Sequence, residues 1–386
     1  MNIAIVGTGF VADYYMTTLP NHPQLRLAGA FDRDPAALAR FCSHHGVRAH
    51  DSLESLLADA EIGLVLNLTT PESHAAVSRA ALEAGRHVYS EKPLAMDLAD
   101  ARALVALAAE RGLSLAGAPA TVLGEAAQAA WAAIREGRIG QPRLVYAEME
   151  DGMVFRDGWR EWASVSGAPW PGRHEFEIGC TLEHAGYYLT WLCAFFGPAR
   201  QVQAFSHRLF DDKGTGQPPG SLAADYSVAN IIFDGGVVAR LTCGLAAARD
   251  RSMQIVGDEG TLVVDDGWNS RSPVRLIRPR HEGEGFGRKL RRAAAERLNR
   301  VLPGRIWAGE RLPLPPAAYA TPAHPSRIDF MRGPAEQAAA IARGEPARLG
   351  GDFALHITEL ALLIQNAGPF SGTVGLTTTF APMRPL

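Results

Sequence analysis

Cysteine is scarce in this sequence. Its 386 residues include four cysteines, which are widely scattered at Cys42, Cys180, Cys193 and Cys243. This spacing fits neither a disulfide framework nor a CxxC metal site. Free thiols are typical of a reducing compartment, so the sequence predicts a cytoplasmic protein.

The sequence also lacks an excess of charge and long apolar runs. Lys plus Arg number 38 and Asp plus Glu number 41, which gives a formal net charge of −3. This balance gives no electrostatic reason to expect nucleic acid or an anionic membrane as a partner. No apolar run reaches the length of a membrane span, and the opening segment MNIAIVG lacks the basic leader of a signal peptide.

The first 120 residues alternate between strand-like and helical patterns. Short apolar, β-rich runs occur at Ile3–Val6, Leu25–Phe31, Ile62–Leu66, His87–Ser90 and Leu113–Ala116. Helical stretches separate them, at Val11–Leu19, Pro35–His45, Ser73–Ala84 and Asp97–Arg111. Strands and helices that alternate with short links predict an α/β fold, a doubly wound parallel sheet of the Rossmann type over residues 1–120.

A different pattern begins near Pro119. One long amphipathic helix, about Gly124–Gly137, is followed by strand-like segments at Arg143–Glu150, Ala199–Ser206, Ser227–Phe233, Val237–Leu245, Ser252–Val256 and Thr261–Asp265, and a helical stretch at about Asp352–Asn366 closes the chain. Turn signals such as FDGG and GDEG join several of these strands. The pattern predicts an α+β domain over residues 121–386, built on a large and mostly antiparallel sheet.

Two features of this second domain point beyond its core. Residues 279–325 form a basic, proline-bearing insert, which we interpret as a solvated surface helix. The sheet carries apolar side chains on both faces; we assign Val228, Ile231 and Phe233 to one face and Ala229, Ile232 and Val238 to the other. Because large apolar faces are usually covered, the sequence predicts a homodimer or homotetramer.

A glycine-rich loop follows the first strand-like run. It reads Gly7-Thr8-Gly9-Phe10-Val11-Ala12, a GxGxxA pattern that opens a helix. The first glycine permits a tight turn, the second lets a pyrophosphate approach the backbone, and the alanine lets the helix pack close to the strand. The free N–H groups of the helix N-terminus then favour phosphate. The loop therefore predicts a dinucleotide site.

The acidic residue that accompanies such a loop is also present. Asp32 lies at the end of the second strand-like run, where a carboxylate can bind the ribose hydroxyls. A carboxylate at this point repels a 2′-phosphate, whereas the neighbouring Arg33 can bind one. We favour NAD over NADP as the cofactor.

Two further motifs lie at the expected spacing from this loop. Ser90-Glu91-Lys92-Pro93 ends a strand-like run, and Asn67-Leu68-Thr69-Thr70-Pro71-Glu72-Ser73-His74 follows another. With the glycine loop, and with Asp329-Phe330-Met331-Arg332-Gly333 near the end, they resemble the glucose-fructose oxidoreductase/inositol dehydrogenase/MocA family. The resemblance covers nearly the whole chain and implies the same two-domain plan.

The resemblance also implies roles for particular residues. Lys92 corresponds to the family's catalytic lysine, which reaches both substrate and cofactor, and Glu91 and Pro93 position it. The family's proline bond before the substrate domain is often cis. Together with the glycine loop, the resemblance gives the expected cofactor contacts as Gly7, Thr8, Gly9, Phe10, Val11, Asp32, Arg33, Asn67, Thr69, Pro71, His74, Glu91 and Lys92.

Lys92 also has an interpretation that needs no family. A lysine at the carboxyl end of a parallel strand lies where doubly wound folds bind their ligands. There its ammonium can polarise a carbonyl or hydroxyl and relay a proton. The alternative is a surface lysine at a strand end, and the flanking Glu91 and Pro93 favour catalysis.

The chain departs from the family's second signature, an acid followed four residues later by a histidine. The corresponding segment contains both Glu183-His184 and Tyr187, so two registers are open. In one, His184 is the histidine and Cys180 replaces the acid. In the other, Glu183 is the acid and Tyr187 replaces the histidine.

We favour the second register. Tyr187 has the family's spacing to Gly197, and some family members use tyrosine at this position. On a regular helix Glu183 and Tyr187 would share one face, with His184 beside Cys180 on another. A tyrosine beside a lysine is a workable proton relay, since the ammonium favours the phenolate. A packed aromatic Tyr187 and a satisfied polar His184 remain the alternatives.

Neither a metal nor a cysteine nucleophile is expected. Cys180, Glu183 and His184 resemble a ligand set, but no second cluster with metal-ligand spacing completes it. Cys180 as a nucleophile has no independent support in the sequence.

The substrate side is suggested by Asp157–Glu177, which is rich in Trp, Arg and acids. Its candidate substrate contacts are Trp159, Arg160, Arg173 and His174. Tryptophan faces and polar groups suit sugar rings and hydroxyls, and arginines also suit carboxylates or phosphates. An irregular loop anchored by its tryptophans is an equally good interpretation.

Three functions of different classes remain at this point. The leading one is hydride transfer between a nicotinamide cofactor and a secondary hydroxyl or carbonyl of a sugar, polyol or sugar derivative. The second is a redox-neutral enzyme that keeps NAD bound and uses transient oxidation to break a glycosidic bond. The third is a nucleotide-binding regulator without catalysis.

Overall fold

The amino-terminal part of the chain forms a parallel sheet. A computed structural model describes residues 1–279, 309–317, 319–322, 326–370 and 372–386, with isolated positions between 287 and 298. The first five strands are β1 (Asn2–Val6), β2 (Arg26–Phe31), β3 (Leu64–Asn67), β4 (His87–Ser90) and β5 (Leu115–Gly117). They lie in the order β2-β1-β3-β4-β5, and every neighbouring pair is parallel. The predicted Rossmann sheet is confirmed.

Helices cover both faces of this sheet. They are α1 (Phe10–Thr18), α2 (Pro35–His45), α3 (Leu53–Ala58), α4 (Pro71–Glu83) and α5 (Leu98–Glu110). Ile3 and Ile5 of β1 are buried on the face that α1 and α2 cover. Ala4 and Val6 are buried on the opposite face, with α3, α4 and α5. Because successive strand side chains point to opposite faces, α1 and α4 lie on different sides of the sheet.

The rest of the chain is built on a second, larger sheet. Its strands are β6 (Pro142–Glu150), β7 (Ala199–His207), β8 (Tyr226–Phe233), β9 (Val238–Gly244), β10 (Met253–Gly257), β11 (Gly260–Val264), β12 (Val274–Ile277), β13 (Glu310–Arg311) and β14 (Thr373–Gly375). Their order is β13-β12-β11-β10-β6-β9-β8-β7-β14. The pair β6–β9 is parallel and the other pairs are antiparallel, so the predicted mostly antiparallel sheet is confirmed.

The helices of this second part are α6 (Glu125–Arg135), α7 (Gly172–Ile178), α8 (Gly186–Phe196), α9 (Arg332–Arg343) and α10 (Gly351–Gln365). Sequence periodicity did not reveal α3, α7 or α9, or the short strands β12, β13 and β14. No helix among the described residues is long and apolar enough to cross a membrane. The surface helix expected within the basic insert lies for the most part outside the described residues.

One face of the large sheet is buried and the other is half-exposed. Ala229, Ile231 and Phe233 of β8 are buried, whereas Val228 and Ile232 are half-buried. The register pairs Ile232 with Val238 and Val228 with Thr242. Our assignment of faces was therefore wrong at two positions: by the alternation of β8, Val228 lies on the open face with Ile232 and Val238, and Ala229 lies on the buried face.

The last helices return to the Rossmann sheet. The Gln337 amide on α9 donates to the carbonyl oxygen of Val88 at 2.9 Å, and Thr358 on α10 accepts from the Leu94 backbone. Gly117 of β5 donates to the Leu349 carbonyl at 3.0 Å. The described residues after 326 therefore pack on the Rossmann sheet as well as on the large sheet. The domain limits of 1–120 and 121–386 stay a prediction.

A π-helical turn separates α7 from α8. It spans Thr181–Ala185 and follows Gly179, which has φ +100°. A Cβ at Gly179 would lie 2.9 Å from Ala223 Cβ and 2.3 Å from the Gln365 amide nitrogen. Both the backbone conformation and the close packing therefore require glycine. The regular helical spacing that we assumed for Glu183 and Tyr187 is wrong in this turn, where the wider π turn sets which way each side chain points.

We expect Gly179→Ala to destabilise the protein by at least about 2 kcal/mol, since it adds both a strained φ and a clash. The measurement is the free energy of unfolding in urea. Gly158→Ala is the matched control, because Gly158 is exposed and a Cβ there meets no atom within 4 Å. Equal stability of the two variants would show that Gly179 does not constrain the turn.

Candidate active site

The glycine loop lies between β1 and α1, as the sequence indicated. Gly7 has φ +92°, and a Cβ there would lie 2.6 Å from the carbonyl oxygen of Leu68. A Cβ at Gly9 would meet nothing within 4 Å, so open space lies over this residue. Ala12 is fully buried where α1 meets the sheet. This is the arrangement that lets a pyrophosphate approach the backbone at the start of a helix.

Asp32 at the end of β2 is bonded to this loop. Its Oδ2 accepts hydrogen bonds from the Thr8 backbone N–H at 2.7 Å and from the Thr8 hydroxyl at 3.0 Å, and its Oδ1 accepts from the Asp34 backbone at 2.9 Å. These bonds fix a half-exposed carboxylate beside the crevice. Arg33 is exposed next to it. The residues present therefore fit a dinucleotide, with a negative charge where its adenosine ribose would lie.

The turn after β3 is held together by two fully buried side chains. Asn67 donates to the His74 carbonyl and to the Ser78 hydroxyl, both at 3.0 Å, and accepts from the Thr69 hydroxyl at 2.6 Å. His74 lies between the carbonyl oxygens of Pro93 and Thr69. Asn67 and His74 thus support the Thr69–Pro71 loop from below. Contact of Asn67, Thr69, Pro71 and His74 with a cofactor stays a prediction.

The motif Glu91-Lys92-Pro93 follows β4 at the carboxyl edge of the same sheet. The peptide bonds before Pro93 and before Pro119 are cis. Glu91 accepts a hydrogen bond from the Tyr15 hydroxyl at 2.7 Å and one from the Lys92 backbone at 3.2 Å. Glu91 therefore fixes the start of the motif against α1, and its role in positioning Lys92 for catalysis stays a prediction.

The side chain of Lys92, which follows β4, contacts the side chain of Glu183 in the π turn. The Lys92 ammonium donates to Glu183 Oε2 in a short ion pair, and the two side chains are 17% and 12% exposed. Burial lowers the pKa of Lys92, but Glu183 and the more distant Tyr187, Glu91 and Glu175 raise it above its ordinary value. Lys92 is therefore a fixed positive charge at neutral pH.

Tyr187 is half-buried beside this pair. Its ring lies 4.7 Å from that of Trp268, measured between centroids. Burial raises the pKa of Tyr187, and the opposing effect of Lys92 does not offset it because Glu91 and Glu183 lie close by. Lys92 does favour the phenolate, as expected, but its effect is smaller than that of burial and the two carboxylates. Tyr187 is a neutral phenol, able to donate a proton.

His184 belongs to a buried cluster of charged side chains. Its Nε2 lies 3.0 Å from Glu175 Oε1 and 3.3 Å from Asp151 Oδ2. Arg251 pairs with the other oxygen of Asp151, with Nε at 2.7 Å, and its guanidinium lies 3.6 Å from the centroid of the Trp268 ring. Asp151, Arg251 and Trp268 were missed by sequence reasoning, because only the fold brings these distant residues together. Glu175 was noted only as one of the acids of Asp157–Glu177.

Cys180 takes no part in this cluster. It is fully buried and its thiol donates to the Cys243 carbonyl. These contacts give no support to the register that pairs His184 with Cys180, which we did not favour. Burial raises the pKa of Cys180, which disfavours the thiolate that a nucleophile needs. Among the residues that the structure describes, no group of three or more His, Cys, Asp or Glu side chains is arranged to hold a metal ion.

The four candidate substrate residues all have partners within the protein. Trp159 is buried against Trp170 and Phe176, with the Arg160 guanidinium 4.5 Å above its ring. His174 pairs with Glu72 at the start of α4, and Arg173 pairs with Glu177. Trp159 thus anchors the segment Asp157–Glu177, in agreement with its interpretation as an irregular loop held by its tryptophans. Substrate contacts by Arg160, Arg173 and His174 stay predictions.

Comparison with known proteins gives two family matches. Residues 1–117 match the model of the GFO/IDH/MocA oxidoreductase family described as an NAD-binding Rossmann fold, and residues 127–263 match the GFO/IDH/MocA C-terminal domain. A trans-1,2-dihydrobenzene-1,2-diol dehydrogenase of Bos taurus is 25% identical over 280 residues, covering 71% of this chain and 76% of the relative.

Two solved structures share the fold. The WlbA dehydrogenase of Bordetella pertussis, in complex with NADH and UDP-GlcNAcA, has a TM-score of 0.71 at 18% identity, with 97% of each chain covered. The aldose-aldose oxidoreductase of Caulobacter crescentus, complexed with glycerol, has a TM-score of 0.72 at 18% identity, covering 97% of this chain and 99% of that one.

The charged contacts of His184 predict a pH-dependent stability. Burial lowers the pKa of His184, but Asp151 and Glu175 outweigh burial and raise it above its ordinary value. A raised pKa stabilises the fold fully below the unfolded value of about 6.5, and this stabilisation is lost as pH rises through the folded pKa. We expect the difference in free energy of unfolding between wild type and His184→Gln to narrow as pH rises above about 6.5.

His207→Gln is the control for this measurement, because His207 is exposed on β7. Its stability relative to wild type should not change over the same pH range. A His184→Gln difference that stays constant or widens toward alkaline pH would contradict the charged state of His184.

Proposed function

Because the chain belongs to the GFO/IDH/MocA family of oxidoreductases, we propose that it transfers a hydride between a nicotinamide cofactor and a secondary hydroxyl or carbonyl of a sugar, polyol or sugar derivative. The observation that carries this proposal is the Lys92–Glu183 pair beside Tyr187 at the carboxyl edge of the Rossmann sheet. Ligands of doubly wound folds bind at this edge. The relatives and structures that act on diols and aldoses support the substrate class.

The dinucleotide would be held by the glycine loop and by Asp32, and when bound it supplies or accepts the hydride. Lys92 provides a fixed ammonium that stabilises negative charge on the reacting oxygen. Tyr187 provides the proton that this oxygen takes up in reduction, and it receives that proton back in oxidation. Glu183 positions Lys92 by holding its ammonium. We also expect the protein to be cytoplasmic.

The direct test is a screen of sugars and polyols for absorbance change at the nicotinamide band, with NAD and with NADP. Net reduction of added cofactor by one substrate class supports the proposal. The redox-neutral alternative would instead give bound cofactor in the purified protein, detected by mass spectrometry, with no net NADH. Binding of cofactor without turnover of any sugar would favour the regulator.

We expect Tyr187→Phe to lower kcat by at least about a hundredfold, because it removes only the hydroxyl that moves the proton. His184→Asn should lower kcat much less, since His184 Nε2 is already committed to Glu175 and Asp151. Both variants are compared by steady-state kinetics with the substrate that the screen identifies. The reverse order of the two losses would assign proton transfer to His184 and would remove the role given to Glu183.

The position of Asp32 predicts a preference for NAD over NADP. Its carboxylate is held in place by Thr8 and Asp34, so a 2′-phosphate would meet a fixed negative charge. The measurement is the ratio of kcat/KM for the two cofactors. We expect wild type to favour NAD by at least about tenfold and Asp32→Ala to reduce this ratio. A wild type that prefers NADP would show that Arg33 outweighs Asp32.

We also propose a homodimer or homotetramer that packs through the open face of the large sheet. Val228, Ile232 and Val238 are half-buried there in the single chain. Light scattering at micromolar concentration should give a multiple of the chain's 41.4 kDa. Ile232→Lys should reduce this mass, whereas Leu209→Lys, at a half-exposed site outside the sheet, should not. A wild-type mass equal to one chain would refute the assembly.

A further inference from the structure

The segment of residues 163–174, here called the strap, leaves the large-sheet domain and docks on the Rossmann helices. The Ser166 backbone and hydroxyl donate to Asp13 Oδ2 at 3.2 and 2.7 Å, and the Ser164 hydroxyl donates to the same oxygen. Asp13 lies in the first turn of α1 and is 1% exposed. Its other oxygen is 2.6 Å from His45 Nε2 on α2. The strap therefore ends, on this side, at a buried carboxylate with four polar partners.

The other end of the strap contacts a different helix. His174 Nε2 lies 2.9 Å from each carboxylate oxygen of Glu72, in the first turn of α4. As shown above, α1 and α4 lie on opposite faces of the parallel sheet. The two ends of the strap are thus attached on the two sides of this sheet, and both attachments are at the first turns of helices.

The path between these attachments is short. His174 follows seven positions after Gly167, which lies near the Arg40 side chain of α2. Such a length spans at most about 25 Å, too little to pass around an outer strand of the sheet and return. The strap must therefore cross the carboxyl edge between β1 and β3. This edge is where the glycine loop opens and where doubly wound folds bind dinucleotides.

We propose that the strap closes over the cofactor crevice and that Asp13 is the positioning residue that holds it shut. Cofactor then leaves only after the serines undock from Asp13, so undocking sets the rate at which the cofactor is released. A buried carboxylate with several donors makes this attachment strong, because each hydrogen bond to a charged group is expensive to leave unmade. This inference rests on the proposed function.

The test is the rate at which bound NADH leaves. The full-length protein is loaded with NADH and mixed with excess NAD, and the loss of NADH fluorescence is followed by stopped flow. We expect Ser164→Ala/Ser166→Ala to release NADH at least about tenfold faster than wild type, as for loss of two hydrogen bonds to a carboxylate. Val165→Ala is the control, because Val165 lies between the serines and is 61% exposed. Its release rate should equal that of wild type.

Two further variants separate the possible outcomes. Asp13→Asn keeps the shape of the side chain and removes its charge, and His174→Gln weakens the opposite attachment; both should accelerate release even if the serine variant does not fold. If these variants fold, with melting temperatures close to wild type, and release NADH at the wild-type rate, the role of the strap is refuted. That result would leave the proposed function untouched. Failure of wild type to bind NADH or NADPH would instead overturn the proposed function. This failure would be seen when the protein is loaded with cofactor, before it is mixed with NAD.

Discussion

The ion pair between Lys92 and Glu183 is the interaction on which the candidate site depends. Lys92 comes from the Rossmann sheet and Glu183 from the turn before α8, so the pair joins the two parts of the chain. A charge buried to this extent is unfavourable unless a partner of opposite sign lies close to it. Correct placement of Lys92 beside the crevice therefore requires the second domain to be docked, and the active site is complete only in the assembled fold.

The structure on either side of Glu183 holds this side chain in place. Gly179 allows the chain to turn sharply after α7, and the π turn then directs Glu183 toward Lys92 and His184 toward Glu175 and Asp151. His184 anchors the turn from below with a second buried ion contact. π turns of this kind are frequent at functional sites, where a regular helix would present the wrong side chains. The turn that carries Glu183 is therefore constrained at Gly179 and at His184.

The sequence predicted the parts of the site that are local. The glycine loop, Asp32 and the Glu91-Lys92-Pro93 motif each lie within a few residues of a strand end, so strand periodicity places them correctly. The roles of Asp151, Glu175, Arg251 and Trp268 were not predictable, because each depends on tertiary pairing over many residues. Helical periodicity also misplaced His184, since it assumes a regular helix where Gly179 and the π turn interrupt one. Val228 was assigned to the wrong face, which strand alternation with the correct register would have avoided.

The most direct test of this account is a double-mutant cycle on kcat/KM with Lys92→Met and Glu183→Gln. If Glu183 acts by holding Lys92, each single variant loses activity and the double variant loses little more than Lys92→Met alone, so the two effects are strongly non-additive. If instead the loss caused by Glu183→Gln is undiminished in the Lys92→Met background, the two side chains act independently. That result would contradict the central role of the ion pair.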